Sequence, residues 1–343
     1  RTVVIKNDFK NEEIETEKRE ISELENYKKE EILEIIKNSG IVGEGGAQFP
    51  TYVKYDIKNK KVKTFIINGA ECEPYLTSDY SVMKNFANDL IKGIKIVKYL
   101  INPKNIVIGI EDENFELKQI LKKAILEEKM KIKIKILPTS YPQGSELQLI
   151  AKITGKKIKK GELPINKGVV VSNVSTIKST YDAFTNGIPL VERIVTISGE
   201  NLSKIGNYII KIGTPLEHII KTLKPNENSK IIFGGPMMGQ EIFENSTATI
   251  KGTSGILFLK NEGEIERNNC ISCGYCVEVC PMNLMPLEFA EFYEKNEYKM
   301  MAKANIMSCI ECGACEYACP SRVPLIESIK NGKETLIRME GNK

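Results

Sequence analysis

Two segments, "CISCGYCVEVCP" (Cys270 to Pro281) and "CIECGACEYACP" (Cys309 to Pro320), share the spacing C-x₂-C-x₂-C-x₃-C-P, and a shift of 39 residues superposes all four cysteines. This part of the chain is internally duplicated. Eight of the nine cysteines lie in the repeat, the ninth being Cys72. Such density suits disulfides in an exported protein, but nothing marks export: the chain opens at Arg1 in a strand-like "RTVVIKND", without a signal peptide. Zinc sites use paired C-x₂-C units and often histidine, and this chain has one histidine. Thiolates three residues apart wrap one face of a 4Fe–4S cubane. The fourth is carried away by the helix that follows, and the proline keeps the backbone from closing over it. Iron–sulfur ligation is the better reading, with zinc and disulfides as the alternatives.

In two-cluster ferredoxins that share this run, the fourth cysteine ligates the other cluster. That pattern assigns Cys270, Cys273, Cys276 and Cys319 to one 4Fe–4S cluster. Cys309, Cys312, Cys315 and Cys280 take the second. Clusters move single electrons, so the rest of the chain has to supply an electron source.

The chain has 343 residues, room for two or three domains. Its 49 basic and 45 acidic residues nearly cancel, which excludes an argument for nucleic acid or a membrane surface. Apolar runs such as "GILFL" are far shorter than the ~18 residues of a spanning helix. Residues 8–31, rich in Glu, Lys and Asn, read as a solvated face or linker. Strand-like and helix-like segments then alternate ("KTFIING", "VMKNFANDLIKGIKIVKYLI", "NIVIGI", "FELKQILKKAILEE", "KIKIKILP", "GVVVSNV"), which predicts an α/β layer with parallel strands. Beyond it, "RIVTISGE", "NYIIKIG", "SKIIFGG" and "GILFLK" around the helical "PLEHIIKTL" predict a small α+β domain. The cysteine repeat sits on short helices. The resulting division is 1–26, the end of a further N-terminal domain plus charged linker; 27–189, α/β; 190–260, small α+β; 261–335, cysteine domain; and 336–343, tail.

The stretch "GIVGEGGAQFPTYVKY" (Gly40 to Tyr55) follows a helical segment. On spacing alone its glycines are a helix C-cap and turn. It is followed in order by "INGAECEPYLTSD", "YPQGSELQLIAKITGKKIKKGELP" and "GVVVSNVSTI". This series resembles the C subunit of the Rnf electron-transport complex and, more distantly, the NADH- and FMN-binding subunit of complex I. "RIVTISGE…KIIFGGPMMG" resembles the β-grasp-like SLBB domain of these proteins. The double cluster run completes a match from about residue 27 onward, and the family's usual N-terminal domain is missing apart from "VVIKND".

The resemblance implies an α/β flavin-binding domain, an SLBB domain and a ferredoxin-like domain with two 4Fe–4S clusters. Gly43, Gly45, Gly46 and Ala47 would lie against FMN and NADH, and Lys54 would meet the flavin phosphate, a point-charge role suited to lysine. Asn68 and Asn173 would hydrogen-bond the flavin. Glu71, Glu73 and Glu146 match acids that face the nucleotide, and Phe49 would wall the adenine or nicotinamide. The complex I pattern has Arg, Gly and Trp where this chain has Glu44, Gln48 and Tyr55. It has Asp, Ser and Glu at Ala70, Cys72 and Ser145. The implied function is NADH oxidation at FMN with electrons passing through the clusters to other Rnf subunits and finally to ferredoxin, coupled to ion transport. The chain would be a peripheral subunit on the cytoplasmic face of the membrane. Two alternatives stay open: a non-catalytic iron–sulfur relay on a degenerate flavin scaffold, and a related cobalamin reductase. Without the resemblance, Lys54 and the three glutamates are surface charges, Cys72 a small buried hydrophobe, His218 structural and "GGPMMG" a turn.

Overall fold

The computed structural model describes the chain except residues 1, 2, 7, 9, 11, 13, 14, 59, 159, 160, 264, 265, 342 and 343, and omits the side chain at 340. The N-terminal "VVIKND", the charged segment 8–31, the "KKGELP" motif end and the tail 336–343 therefore fall partly outside the described residues.

The first part alternates α1 (Lys29–Asn38), α2 (Thr51–Tyr55), β1 (Thr64–Gly69), α3 (Ser78–Asn85), α4 (Ala87–Ile101), β2 (Asn105–Glu111), α5 (Phe115–Glu127), β3 (Lys133–Leu137), α6 (Glu146–Thr154), β4 (Val169–Asn173) and α7 (Val174–Tyr181). The strands form a parallel sheet in the order β3-β2-β1-β4. In β1, Phe65, Ile66 and Ile67 are all fully buried, so the sheet is covered on both faces, as parallel sheets are. Phe65 and Ile67 join the core built with α4, α5 and α7. Ile66 packs with Val169, Val171 and the α6 residues Leu149 and Ile150 on the other side. The chain moves outward from β1 to β3, then α6 returns it to β4 on the far side of β1. Such a reversal opens a crevice at the carboxyl ends of the strands. Asn68 of β1 and Asn173 of β4 are paired in register there.

The segment before α1 is more than a linker. A 3₁₀ turn (Ile21–Asn26) buries Leu24 in the α/β core. The Thr16 hydroxyl donates to Asn186 O (2.9 Å) and Arg19 N to Thr185 O (2.8 Å). One apolar side chain in a charged run is enough to anchor it.

β5 (Glu192–Ser198), β6 (Gly206–Lys211), α8 (Leu216–Leu223), β7 (Ser229–Phe233), β8 (Gln240–Glu241) and β9 (Gly255–Lys260) make a mixed sheet in the order β6-β5-β9-β7-β8. The β5–β9 pair is parallel and the others antiparallel. Leu216, Ile219 and Leu223 of α8 cover Val195, Ile197, Ile256 and Phe258. The last part carries α9 (Tyr275–Glu278), α10 (Pro286–Glu294), α11 (Tyr298–Lys303), α12 (Ala314–Tyr317) and α13 (Leu325–Gly341) around Leu284, Phe289, Met301, Ile306, Ile329 and Leu336. The boundary drawn at 335/336 falls inside α13, because Leu325, Ile329 and Leu336 continue one apolar helical face.

Candidate functional site

The glycine stretch closes into a compact turn, with Gly43 N donating to Phe49 O (2.8 Å) and Gln48 N to Gly43 O (3.0 Å). Glu44 N is held by Thr176 Oγ1 (2.9 Å). Among the described residues, the N–H groups of Gly45, Gly46 and Ala47 make no hydrogen bond, and all three residues are exposed. Gly46 has φ +102°, and no atom lies within 4 Å of where a Cβ would stand. Successive N–H groups without a protein partner on an exposed turn can cradle an anion or the polar edge of a ring. A Cβ on Gly45 would lie 3.4 Å from Asn173 Cβ, so the cradle sits on the crevice between β1 and β4. Those features fit an FMN.

Asn173 is engaged beneath the cradle. Its Oδ1 caps α7 by accepting from Ser175 N (2.8 Å), and its Nδ2 donates to Asp79 Oδ2 (2.6 Å). Asp79 also takes the Ser175 hydroxyl (3.0 Å) and donates its own N–H to Glu71 Oε2 (3.0 Å). Glu71 caps the start of α3, receiving Tyr80 N (3.2 Å) and the Ser78 hydroxyl (2.7 Å) as well. Burial pushes the Glu71 carboxyl up to about 8, with Asp79 adding to the effect. Burial likewise raises Asp79 against the pull of Asn173 and Arg193.

The resemblance sets Glu71 and Glu73 against the nucleotide, yet in the structure both carboxylates are turned to other partners. Glu73 accepts Met238 N (2.8 Å) and Met237 N (3.0 Å) from the turn Gly234–Gly239. Burial raises its carboxyl too. Asn68 donates to Gly144 O (2.8 Å) and accepts from Ala70 N (3.1 Å). Lys54, on α2, donates to Val171 O (3.0 Å) and stands 3.6 Å from Glu146 Oε2, so two residues far apart in sequence meet. Phe49 is 46% exposed.

Three of the departures from the complex I pattern, Glu44, Gln48 and Tyr55, have local explanations. Glu44 turns inward: its carboxylate accepts the Ser179 hydroxyl (2.6 Å), and its carbonyl accepts Arg193 Nη2 (3.3 Å). Gln48 keeps a left-handed backbone (φ +50°), and its side chain lies against Gly252, 2.8 Å from where a Cβ would stand there. It is drawn toward the second sheet's connections. Tyr55 is buried and bonds Ser172 Oγ (2.9 Å).

The cysteines line two cavities. One is bounded by Cys280, Cys309, Cys312 and Cys315 with Leu284, Phe289 and Ile329; the other by Cys270, Cys273, Cys276 and Cys319. Among the described residues no three His, Cys, Asp or Glu side chains converge on a point that suits a single ion. Four thiols around a cavity form a donor set for an iron–sulfur cluster instead. Burial pushes the Cys315 thiol up to about 12, with Cys309, Cys312 and Cys280 adding, so thiolates form there when iron brings positive charge. The first cavity abuts the α/β part. The Tyr141 hydroxyl donates to Cys312 O, and Gln148 Nε2 donates to Pro281 O (2.9 Å). In the second, Cys270 and Cys273 are exposed.

Sequence reasoning missed Asp79, Arg193, Tyr141 and Gln148. Arg193, 6% exposed, carried a readable signal as a charge at the start of an apolar strand run. The other three had none, because their partners lie 94, 171 and 133 residues away.

Two family models match: a Nuo51 FMN-binding domain over residues 36–182 and a 4Fe-4S dicluster domain over 269–323. The chain is 41% identical over 326 residues to the C subunit of the Na(+)-translocating ferredoxin:NAD(+) oxidoreductase complex of Acetobacterium woodii, covering 93% of this chain and 73% of that protein. It is 40% identical over 305 residues to the proton-translocating counterpart of Clostridium ljungdahlii (87% and 65%). It is 38% identical over 322 residues to the C subunit of the ion-translocating oxidoreductase complex of Haemophilus influenzae (92% and 39%). The chain thus spans between 39% and 73% of these relatives' lengths. A crystal structure of an NAD+-reducing [NiFe]-hydrogenase in the H2-reduced state shares the fold, with a TM-score of 0.63 at 16% identity over 93% of this chain and 63% of that one.

Proposed function

Because the chain belongs to the family of C subunits of ion-translocating (Rnf) oxidoreductase complexes, we propose that it is the peripheral component at which NADH delivers electrons through FMN and two 4Fe–4S clusters. It is an electron-transfer subunit with FMN-binding and iron–sulfur domains. The observation that carries the finer reading is the pairing of an open N–H cradle at the sheet's reversal point with a four-cysteine cavity docked on the same domain. We assign 27–189 to the flavin domain, 190–260 to a β-grasp-like SLBB domain and 261–335 to the cluster domain.

Bound FMN takes a hydride as two electrons and exchanges them singly with iron–sulfur centres. The chain's own residues bind and orient. Gly45, Gly46 and Ala47 offer N–H donors, Gly43 shapes their turn, and Lys54 supplies a positive charge held by Val171 O and Glu146. Asn68 and Asn173 fix the ends of β1 and β4 at the crevice that would hold the flavin, and exposed Phe49 would offer an aromatic wall to NADH. Cys280, Cys309, Cys312 and Cys315 form the inner set, against the flavin domain. Cys270, Cys273, Cys276 and Cys319 form the outer set, with exposed Ile271, Tyr275 and Tyr317 nearby as the delivering face. Two relatives are named for ferredoxin and NAD(+) as the redox pair, which supports ferredoxin as the distant partner, reached through other subunits. Among the described residues no helix is long and apolar enough to cross a membrane; in our reading other subunits hold the chain at the cytoplasmic face as a peripheral component.

Anaerobic purification with iron, sulfide and flavin measured together tests this reading. We expect about eight irons, stoichiometric FMN, and clusters that bleach on NADH addition. Iron without flavin would leave the relay function instead.

A further inference from the structure

We infer that Glu73 is a positioning residue for electron transfer, clamping the inner cysteine cavity to the flavin domain through the turn Gly234–Gly239. The inference rests on the flavin-to-cluster reading above. Its geometry is a chain of close approaches across three parts of the molecule. Glu73 follows β1, and its two carboxylate oxygens each take one N–H of the turn, Met238 N at 2.8 Å and Met237 N at 3.0 Å. A Cβ on Gly235 would collide with that carboxylate, so the turn can seat there because residue 235 is glycine. On its other side the turn presses on the cluster repeat: a Cβ on Gly313 would lie 2.7 Å from Met237 O. Gly313 (φ +79°) is the N-cap of α12, between Cys312 and Cys315 of the inner set. Tyr141 and Gln148 grip the same repeat by the carbonyls of Cys312 and Pro281. Those two contacts are neutral. Glu73 supplies the charged one, and N–H bonds to a carboxylate are the stronger kind.

The test uses the full chain, reconstituted anaerobically with FMN, iron and sulfide. Glu73→Ala should bind flavin and iron as wild type does and keep the KM for NADH. Cluster bleaching that follows flavin reduction should slow about tenfold or more, and the Met237 and Met238 amides should exchange hydrogen about tenfold or more faster. Glu73→Gln, which keeps one acceptor oxygen, should fall between. Gly235→Ala displaces the carboxylate without removing it and should reproduce both effects, which covers the case that Glu73→Ala folds poorly. Unchanged exchange at Met237 and Met238 overturns the clamp. A raised KM for NADH with unchanged cluster bleaching also overturns it and makes Glu73 a nucleotide contact. Should wild type carry no flavin, the flavin reading fails while amide exchange still reports on the clamp.

Discussion

Lys54, the positive charge proposed for the flavin phosphate, is held from below by Val171 O with Glu146 at 3.6 Å. Lys54→Ala should weaken FMN binding. A charged hydrogen bond is worth about 1.5–3 kcal/mol, and the 30% exposure of this side chain points to the lower end, a loss of about tenfold. Gly45→Val should act more severely, since its branches would press on the Asn173 side chain, whose Cβ lies only 3.4 Å from the new Cβ position, and would distort the turn that offers the N–H groups. Dithionite reduction should show the clusters intact in both, and full flavin retention by both would reduce the glycines to a plain turn. Glu71 yields a different expectation. Burial, and then Asp79, push its folded carboxyl up from the ordinary 4.5 to about 8. Between those values the folded chain binds more protons than the unfolded one, so this residue's contribution to stability falls as pH rises. Asp79, also raised, works in the same direction. The melting temperature of flavin-free protein should drop from pH 5 to pH 8.5, and Glu71→Gln should flatten the curve; a wild-type curve that climbs across this window would contradict the assignment. Motif order singled out Lys54, Glu146 and the glycines, and the structure brings Lys54 and Glu146 to 3.6 Å of each other. The inward turn of Glu44 and the sideways packing of Gln48 were not, because each is decided by a partner (Ser179, Gly252) more than 130 positions away.

At the scale of elements, the crossing of the two cysteine sets follows from α9 and α12. Each is a four-residue helix entered through a left-handed glycine, Gly274 (φ +82°) or Gly313 (φ +79°). Such a turn carries the chain about 6 Å, enough to move the cysteine that follows, Cys280 or Cys319, out of its own loop and into the other cavity. Cys280→Ala should therefore damage the cluster held by Cys309, Cys312 and Cys315, not that of its sequence neighbours. Mössbauer or electron paramagnetic resonance spectra that lose only the Cys270-centred signal would refute this. The parallel strands were equally legible, since strand-like and helix-like runs alternate and a run such as "TFIING" is apolar on both faces, as strands covered on both sides are. The path of α13 past residue 335 was not, because a largely polar helical face reads as a tail until Leu336 is seen to be buried.

For the whole molecule, the order of the three parts could be read from the change in apolar period and from the cysteine repeat. Their mutual seating could not, because it rests on main-chain atoms: Cys312 O, Pro281 O and the Met237 and Met238 N–H groups. No residue type announces which backbone atoms a distant side chain will find. The shared cavities also dictate a schedule of assembly. Each draws thiols from both copies of the repeat, so a nascent chain that has reached residue 308 holds no finished cavity, although the whole first copy, Cys270 to Cys280, has been made. The inner set closes with Cys315 and the outer with Cys319, four residues later. On the pairing proposed above, neither set has all four of its thiols until the second copy is made, so a chain cut before Cys315 should hold no complete four-thiol set for a cluster.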